Sequence, residues 1–341
     1  MGDNLNKKYI IIGASSFIGV YTATYFKEQG LDVYVTGRNN KFKDYYEKLG
    51  INYINLDLTR ESDFEKLPKD NVCCVCLISG ALPASEDADL ADHENADTYI
   101  KVNVLGTCSL LEYCRKNNVK RIISTASFAD LGNSLRLDPP VLDDEERNFS
   151  FTGDHCVYVI SKNTSSDIMR YYNEQHGMKN VTFRLPPVYG VGPHGSLKVN
   201  GKIRKSGLQI FIDNAVEGKD IEVYGYLARD VVYVKDVAKA FYQAAVSDKA
   251  CGVYNITSGV ATTLEDMAKS CADVFGEEKK SKVIYHDEME NSGKSYLFSI
   301  KKAKDDFGYS PEFCDFHLMM EDYKKELDRG VFGELFKDRE V

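Results

Sequence analysis

The sequence predicts an α/β fold: a doubly wound parallel sheet with helices on both faces and a smaller carboxy-terminal α/β lobe. Two observations lead to this expectation. Short runs rich in β-branched and aromatic residues alternate with helical periodicity over residues 1–186, which is typical of repeated strand–helix–strand units. Beyond Pro186 the alternation gives way to a glycine- and lysine-rich stretch and then to a mainly helical region.

The first half contains the strands and helices that such units require. Strands are predicted at residues 8–13, 32–36, 51–55, 71–79, 121–126 and 180–185. Helices are predicted at residues 17–29, 41–49, 93–117 and 156–176. Gly30 follows the first helix directly, and glycine is a common helix stop. Because the strands are parallel, their carboxyl ends share one edge of the sheet, where the active sites of such folds form.

The second half has a different texture. The stretch up to about residue 206 has little periodicity and is expected to form a loop beside the active site. Helices are predicted at residues 208–217, 234–245, 263–275, 300–307 and 316–329, with short strands at 221–224 and 253–256.

Composition narrows the class of protein. The 341 residues are 43% hydrophobic and 28% charged, with a formal net charge of -9. An acidic chain is a poor match for nucleic acid or an anionic membrane, and no apolar run reaches membrane-spanning length. We therefore expect a cytoplasmic protein. Of the nine cysteines, Cys73, Cys74 and Cys76 lie in one strand and are interpreted as small buried hydrophobes. No metal site is expected, since no second Cys or His pair has ligand spacing.

A glycine motif joins the first strand to the first helix. It comprises Gly13, Ala14, Ser15, Ser16, Phe17, Ile18 and Gly19. In a Rossmann-type fold the first glycine permits the tight turn, the last lets the helix pack closely, and backbone amides at the helix start bind the pyrophosphate. Ser16 replaces the usual middle glycine. Its hydroxyl could donate to a phosphate, although its Cβ leaves less room.

The end of the second strand bears on the choice of cofactor. An acidic residue there would bind the ribose 2′-hydroxyl of NAD, but this chain has Arg38. A guanidinium at this place favours NADP(H) over NAD(H), and NAD(H) stays open because arginine also stacks on adenine. Asp57, after the third strand, is placed to bond the adenine edge. Alternatively, it caps the helix near residues 61–67.

Tyr158 and Lys162 are expected on one face of a helix, four residues apart. A nearby ammonium and an oxidised nicotinamide would stabilise the phenolate, so that the tyrosine could exchange a proton with a substrate hydroxyl during hydride transfer. Ser127, at the carboxyl end of the fifth strand, could bond both the substrate oxygen and the tyrosine oxygen.

Taken together, these motifs resemble the extended short-chain dehydrogenase/reductase family, and within it the NAD(P)-dependent sugar-nucleotide epimerase/dehydratase group. Further matching segments are LDLT, LISGALPAS, NVLGTCSLLEYC, STAS, YVISK, RLPPVYGVG and the stretch ending in GVYNITSG. The resemblance implies that Ser127, Tyr158 and Lys162 are catalytic and that Arg229 contacts the substrate diphosphate. It also implies dinucleotide contacts from Leu58, Ser79, Gly80, Ala81, Asn103, Thr125, Pro187 and Val188.

Departures from the family's motifs argue against two of its reactions, dehydration and 3,5-epimerisation. Sugar 4,6-dehydratases carry an Asp-Glu pair after the catalytic hydroxyl, whereas this chain has Phe128 and Ala129. Ala129 also replaces the cysteine of the epimerase/reductases that resemble GDP-fucose synthase. His194 lies near the place of their histidine and is expected to line the substrate pocket. A C4 epimerase and a 4-ketoreductase both stay open, as do a reductase of a non-sugar carbonyl and a non-catalytic dinucleotide sensor.

The resemblance also gives expectations for domains and assembly. Residues 1–186 are expected to form the dinucleotide-binding domain, joined by a piece near residues 230–250. Residues 187–229 and 251–341 are expected to form the substrate-binding lobe. Relatives often dimerise through two helices, which here lie near residues 103–114 and 156–172, so a homodimer that binds a small nucleotide-sugar substrate is expected.

Overall fold

Fifteen strands and eleven α-helices make up the regular structure of the described residues. A computed structural model of the chain describes residues 7–38, 42–83, 96–152, 156–193, 195–199, 202–276 and 280–336. The strands are β1 (Lys8–Ile12), β2 (Asp32–Gly37), β3 (Asn52–Asn55), β4 (Val72–Leu77), β5 (Ile122–Ser127), β6 (Val181–Leu185), β7 (Val188–Tyr189), β8 (Ser196–Val199), β9 (Lys202–Lys205), β10 (Ile221–Tyr224), β11 (Ala228–Asp230), β12 (Val232–Tyr233), β13 (Gly252–Asn255), β14 (Ala261–Thr263) and β15 (Val283–His286).

The helices alternate with strands in the first half and dominate the second. They are α1 (Phe17–Glu28), α2 (Lys43–Lys48), α3 (Ala96–Tyr99), α4 (Gly106–Lys116), α5 (Cys156–His176), α6 (Gly207–Glu217), α7 (Val234–Val246), α8 (Leu264–Phe275), α9 (Lys301–Phe307), α10 (Phe316–Arg329) and α11 (Val331–Phe336). Two short 3₁₀ helices, Glu61–Lys66 and Phe128–Leu131, and a π-helix, Ile100–Leu105, complete them.

Seven strands form the central sheet, in the order β13-β6-β5-β4-β1-β2-β3, and every pair in it is parallel. The α/β fold predicted from the sequence is confirmed. Ile10, Ile11 and Ile12 of β1 are buried on both faces of the sheet, which is typical of parallel sheets. Each such side chain contributes roughly 2 kcal/mol to folding.

The strand order reverses next to β1. Strands β2 and β3 follow on one side of β1, and β4, β5 and β6 follow on the other side. A crevice opens at such a switch point, outside the carboxyl ends of the strands. The turn after β1 and the loop after β4 therefore lie side by side, and the residues that follow these two strands are the first candidates for a ligand site.

Several features differ from the sequence prediction. The segment expected to be one helix over 93–117 is divided into α3, the π-helix and α4, with residues 93–95 outside the described part. The expected loop before residue 206 contains the β8–β9 hairpin. β13 lies in the central sheet, so the chain that returns to the sheet extends beyond the predicted piece near 230–250.

The cysteines are free thiols. None of the nine cysteines is in a disulfide; Cys74 and Cys76 are buried and Cys73 is half-buried. In the described segments no cluster of His, Cys, Asp or Glu side chains is arranged to hold a metal ion. No helix in that part of the chain has both the length and the apolar character of a membrane span.

Candidate active site

The turn between β1 and α1 is shaped by two glycines. Gly13 has φ +90°, and a Cβ there would lie 2.5 Å from the Ser79 amide nitrogen after β4. A Cβ on Gly19 would lie 2.2 Å from the Gly13 carbonyl oxygen. Any larger residue would therefore separate the turn from the β4 loop, or the helix from the turn. This is the close packing expected from the sequence.

Ser16 caps α1 and has no hydroxyl proton left for a ligand. Its Oγ donates to the Gly13 carbonyl at 2.7 Å and accepts from the Gly19 amide at 3.2 Å. The expected donation from this hydroxyl to a phosphate would need the bond to the Gly13 carbonyl to open, and it stays a prediction. The amides of Ser15 and Ile18, in contrast, make no hydrogen bond to the described part of the chain. Unpartnered amides at the positive end of a helix fit a pyrophosphate.

Arg38 and Asp57 lie at the ends of β2 and β3. The Arg38 side chain is exposed. Asp57 Oδ1 accepts from the Thr59 amide at 2.9 Å and hydroxyl at 2.7 Å. Burial raises the pKa of Asp57, but these bonds and the charges of Arg38 and Arg60 outweigh it, so the net pKa is lowered. Asp57 does not cap the following helix, whose preceding residue Arg60 makes no side-chain cap, and one carboxylate oxygen faces no donor among the described residues.

The loop after β4 is held by Asn103. Its Oδ1 accepts from the Ala81 amide at 2.8 Å, and its Nδ2 donates to the Ala81 carbonyl at 3.1 Å. A Cβ on Gly80 would lie 2.9 Å from Asn103 Oδ1 and 3.8 Å from Lys162 Nζ. The structure therefore brings Gly80, Ala81, Asn103 and Lys162 together, with the Asn103 amide engaged by protein. Leu58, in contrast, is buried in the core beneath the β3 end.

Tyr158 and Lys162 lie one turn apart on α5, beside the carboxyl end of β5. Lys162 is 9% exposed, and its Nζ donates to Thr125 Oγ1 at 3.4 Å. Ser127 ends β5, and its Oγ accepts from the Ala129 amide at 3.2 Å. The ring of Tyr158 is 6.0 Å from that of Tyr99. Hydroxyl, phenol and ammonium groups therefore come from adjacent elements at the sheet edge predicted for the active site.

Burial controls the titration of both groups on α5. It raises the pKa of Tyr158, with a smaller contribution from the Tyr99 phenol, and it lowers the pKa of Lys162 to about 8. The sequence led us to expect an ammonium that lowers the tyrosine pKa. In the chain itself Lys162 contributes nothing that offsets burial, so the cost of removing a phenolate from water decides the direction of the Tyr158 pKa. Lowering of the tyrosine pKa therefore needs a further positive charge at this place.

Lys162→Met should stabilise the protein at pH 7, by on the order of 3 kcal/mol. Since the pKa of Lys162 is lowered to about 8, the folded chain binds fewer protons than the unfolded chain between that value and the ordinary lysine value. The burial penalty is complete below this window and disappears above it. The gain should therefore fade as pH rises, in urea unfolding at several pH values. Lys101→Met, which removes an exposed ammonium, is the control; a pH-independent or negative effect at Lys162 would contradict the burial.

Pro187 and Val188 follow β6 at the same edge. The Pro187 carbonyl accepts from the Val232 amide at 3.1 Å, and β7 pairs with β12. This pairing places β11, with Arg229, beside the end of the central sheet. Both residues are half-buried.

Half-buried Arg229 and buried Tyr296 each hold a buried polar atom without a hydrogen-bond partner in the described part of the chain. Arg229 Nε and the Tyr296 hydroxyl are buried and have no hydrogen-bond partner among the described residues. The two residues face each other in a β-bridge. Burial raises the pKa of Tyr296, and the Arg229 charge opposes this rise; the same holds for Tyr189 of β7. Unpartnered buried donors are rare, so the cluster fits an anionic ligand.

The residues after Ser127 do not supply a proton-transfer group. Phe128 packs against Tyr296, with ring centroids 5.3 Å apart. Asp130 is 3% exposed and accepts from the Arg184 guanidinium, with the shortest bond at 3.0 Å. A carboxylate so paired is fixed in position. The dehydratase acid pair is absent from the sequence. Asp130, the next carboxylate along the chain, does not replace it, because it is bonded by Arg184.

Tyr296 and Ser161 were not among the residues predicted from the sequence. Tyr296 has no local signal, because its place depends on pairing with β11. Ser161 gave only the signal of a small residue beside Lys162. His194, expected to line the pocket, lies outside the described residues.

A second cleft, of about 700 Å³, lies at the opposite, amino edge of the sheet. Two of its basic residues donate hydrogen bonds to backbone carbonyls of the protein itself. Arg121 donates to the Lys179, Ala244 and Ala250 carbonyls, and Lys179 donates to the Asp248 carbonyl. These cations are engaged by carbonyls at the ends of helices and strands. The cleft lies at the edge of the sheet opposite the candidate active site.

Comparison with known proteins gives a consistent result. The model of the NAD dependent epimerase/dehydratase family matches residues 9–257. A putative UDP-glucose 4-epimerase of Methanocaldococcus jannaschii is 25% identical over 89% of this chain and 93% of its own. A dTDP-4-dehydro-6-deoxyglucose reductase of Escherichia coli is 20% identical over 89% and 92%. The crystal structure of a UDP-N-acetylglucosamine 4-epimerase from Bacillus cereus superposes with a TM-score of 0.74 at 19% identity, covering 95% of this chain and all of that one.

Proposed function

The chain belongs to the NAD dependent epimerase/dehydratase family, and from this premise we propose that it is a C4 epimerase of a nucleotide-linked sugar. The observation that carries the proposal is the convergence of Tyr158, Lys162 and Ser127 at the end of β5, beside the unpartnered Arg229. These groups match the two needs of the reaction, which are proton exchange with a carbinol and binding of a diphosphate.

The cofactor of the family is a nicotinamide dinucleotide. The Ser15 and Ile18 amides would hold its pyrophosphate, and Gly13 and Gly19 keep the turn close enough for them to do so. When bound, the nicotinamide supplies the hydride acceptor or donor. Its positive charge in the oxidised form is also the further charge that the buried Tyr158 phenol needs.

The side chains at the end of β5 would divide the proton chemistry. Tyr158 takes the proton of the sugar hydroxyl and returns it in the reverse step. Lys162, held at Thr125, would bond the nicotinamide ribose and would favour the phenolate. The Ser127 hydroxyl bonds the substrate oxygen and keeps it within reach of the phenol. Arg229 bonds the diphosphate with charge-assisted hydrogen bonds, and the aromatic ring of Phe128 lies next to this position.

A 4-ketoreductase is the second candidate, and Arg38 is the observation that favours it, since net reduction generally draws on NADPH. Relatives of both kinds are similar to this chain over most of its length. The mass of the small molecule released from freshly purified, denatured protein discriminates them. Stoichiometric NAD, with interconversion of UDP-sugar C4 epimers on addition, supports the epimerase. The reductase is supported if no dinucleotide dissociates from the purified protein and if the protein oxidises NADPH in the presence of a 4-keto sugar nucleotide.

Arg38→Ala should weaken NADP(H) binding by about tenfold to a hundredfold and leave NAD(H) binding within about twofold. The reason is that the exposed guanidinium at the end of β2 has a 2′-phosphate to bond only in NADP(H). Calorimetric titration of both cofactors measures the two affinities. Equal losses for both cofactors, or none, would remove the support that Arg38 gives to NADP(H) and to the reductase.

We also propose a homodimer formed through α4 and α5. Leu105, just before α4, is 56% exposed and Tyr171 of α5 is 54% exposed, and large apolar side chains on two adjacent helices suit such a contact. Sedimentation at micromolar concentration would give twice the chain mass if the proposal holds and the single chain mass if it fails.

A further inference from the structure

A buried chain of hydrogen bonds joins the β4 loop to the turn of α5 that carries Tyr158. The Asn103 amide bonds both backbone groups of Ala81, as described above, and its Nδ2 also donates to Ser161 Oγ at 2.9 Å. Ser161 Oγ in turn donates to the Tyr158 carbonyl at 2.7 Å. We call the Ala81 backbone, the Asn103 amide and the Ser161 hydroxyl the brace.

The brace is shielded from water. Ser161 is fully buried and Asn103 is 4% exposed. Solvent cannot easily replace a bond that is lost at such a place, so each member depends on the others. The Asn103 side-chain amide uses its oxygen and its nitrogen within the brace, and the Ser161 hydroxyl joins this amide to α5.

The backbone of Asn103 is fixed independently. It lies in the π-helix Ile100–Leu105, and its carbonyl accepts from the Thr107 hydroxyl at 2.5 Å and the Ser165 hydroxyl at 2.7 Å. π-helical turns are rare and recur at functional sites. The wider turn presents the Asn103 side chain between the β4 loop and α5, so the irregularity has a structural consequence at the candidate site.

The two ends of the brace are the two halves of the site. On one side, the β4 loop lies against the turn that would hold the pyrophosphate, since Gly13 abuts Ser79. On the other side, Ser161 lies between Tyr158 and Lys162 in the sequence, and Gly80 approaches Lys162 Nζ. A shift of either element would therefore be transmitted to the other.

We propose that Ser161 is a positioning residue, which through Asn103 fixes the Tyr158–Lys162 turn against the dinucleotide loop. The proposal rests on the proposed function, since it assigns the positioning to proton transfer. Ser161 touches no reacting atom. Its hydroxyl sets the distance between the phenol and the nicotinamide, on which both the rate and the ionisation of Tyr158 depend.

The test compares Ser161→Ala with Ser166→Ala. Both variants remove a buried hydroxyl from the same helix, but the Ser166 hydroxyl donates to Thr182 Oγ1 of β6 and not to a member of the brace. We expect Ser161→Ala to lower kcat by about tenfold to a hundredfold, with the dinucleotide Kd within about twofold of the parent. The midpoint of the acidic limb of the kcat profile should move to higher pH, because a displaced phenol loses the stabilisation of its anion. Ser161→Thr, which keeps a hydroxyl, should restore most of the rate.

A merely structural role predicts other results. Loss of activity that is equal at every pH, or equal in the two alanine variants, would overturn the proposal, as would an unchanged kcat in Ser161→Ala. Hydrogen exchange provides a readout that needs no substrate. The peptide containing Ala81 and the peptide containing the first turn of α5 should both exchange faster in Ser161→Ala and not in Ser166→Ala. If the parent protein turns over no sugar nucleotide, the proposed function fails while this exchange result still decides whether the brace exists.

Discussion

Tyr158→Phe should lower kcat by about a thousandfold or more while the dinucleotide binds with nearly its original affinity. The variant removes only the oxygen that exchanges the proton. The phenol makes no hydrogen bond to the described residues, and the phenyl ring can keep its contact with Tyr99, so the free energy of unfolding should change by less than about 1 kcal/mol. Steady-state kinetics and dinucleotide titration measure the two quantities.

The control is Tyr171→Phe, which makes the same change on the same helix and keeps the ring that the proposed dimer contact uses. It should leave kcat within about twofold of the parent. Retention of most activity by Tyr158→Phe would remove this residue from the acid/base role, and a parallel loss of dinucleotide binding would mean that its role is structural.

Arg229→Met should affect substrate binding and stability in opposite directions. We expect KM for the nucleotide sugar to rise by about a hundredfold, since the variant loses the charge-assisted bonds to the diphosphate. The unfolding free energy should not fall and should rise by about 1 kcal/mol, because Nε is a buried donor without a partner in the described structure. Methionine fills a similar length without a charge.

Arg170→Met is the matched control, since Arg170 is exposed and pairs with Glu174 on the surface. It should change neither KM nor stability measurably. If Arg229→Met instead destabilises the protein and leaves KM unchanged, the guanidinium has an internal structural partner, and the anion site must lie elsewhere.

The central sheet was predictable because its signals are local. The apolar run of β1, the glycines after it and the alternation through β6 all lie within short windows of sequence, and burial on both faces follows from them. The β8–β9 hairpin carried no such signal. Its residues from Lys202 to Lys205 are exposed on both faces, so the strand lacks the alternation that marks a half-buried one.

The candidate site was predictable in part, and the rest depends on contacts distant in sequence. Tyr158, Lys162 and Ser127 were found because helix spacing and strand ends determine their places. The dinucleotide contact of Asn103 stays a prediction, and no local pattern indicates that its amide bonds Ala81 and Ser161. No local pattern reveals a π-helical turn or the bridge between Arg229 and Tyr296. The N-cap role of Ser16 follows the preference of serine for the position before a helix, and its phosphate contact stays a prediction.

The most direct test of hydride transfer on a nucleotide-linked sugar is a rapid-mixing measurement of the nicotinamide absorbance. Protein with bound dinucleotide is mixed with a UDP-sugar carrying protium or deuterium at C4. The account predicts that the absorbance band of the reduced nicotinamide appears, more slowly with deuterium, and that it is absent in Tyr158→Phe. An unchanged spectrum with every sugar nucleotide and every 4-keto counterpart, from protein that still binds the dinucleotide, would contradict it.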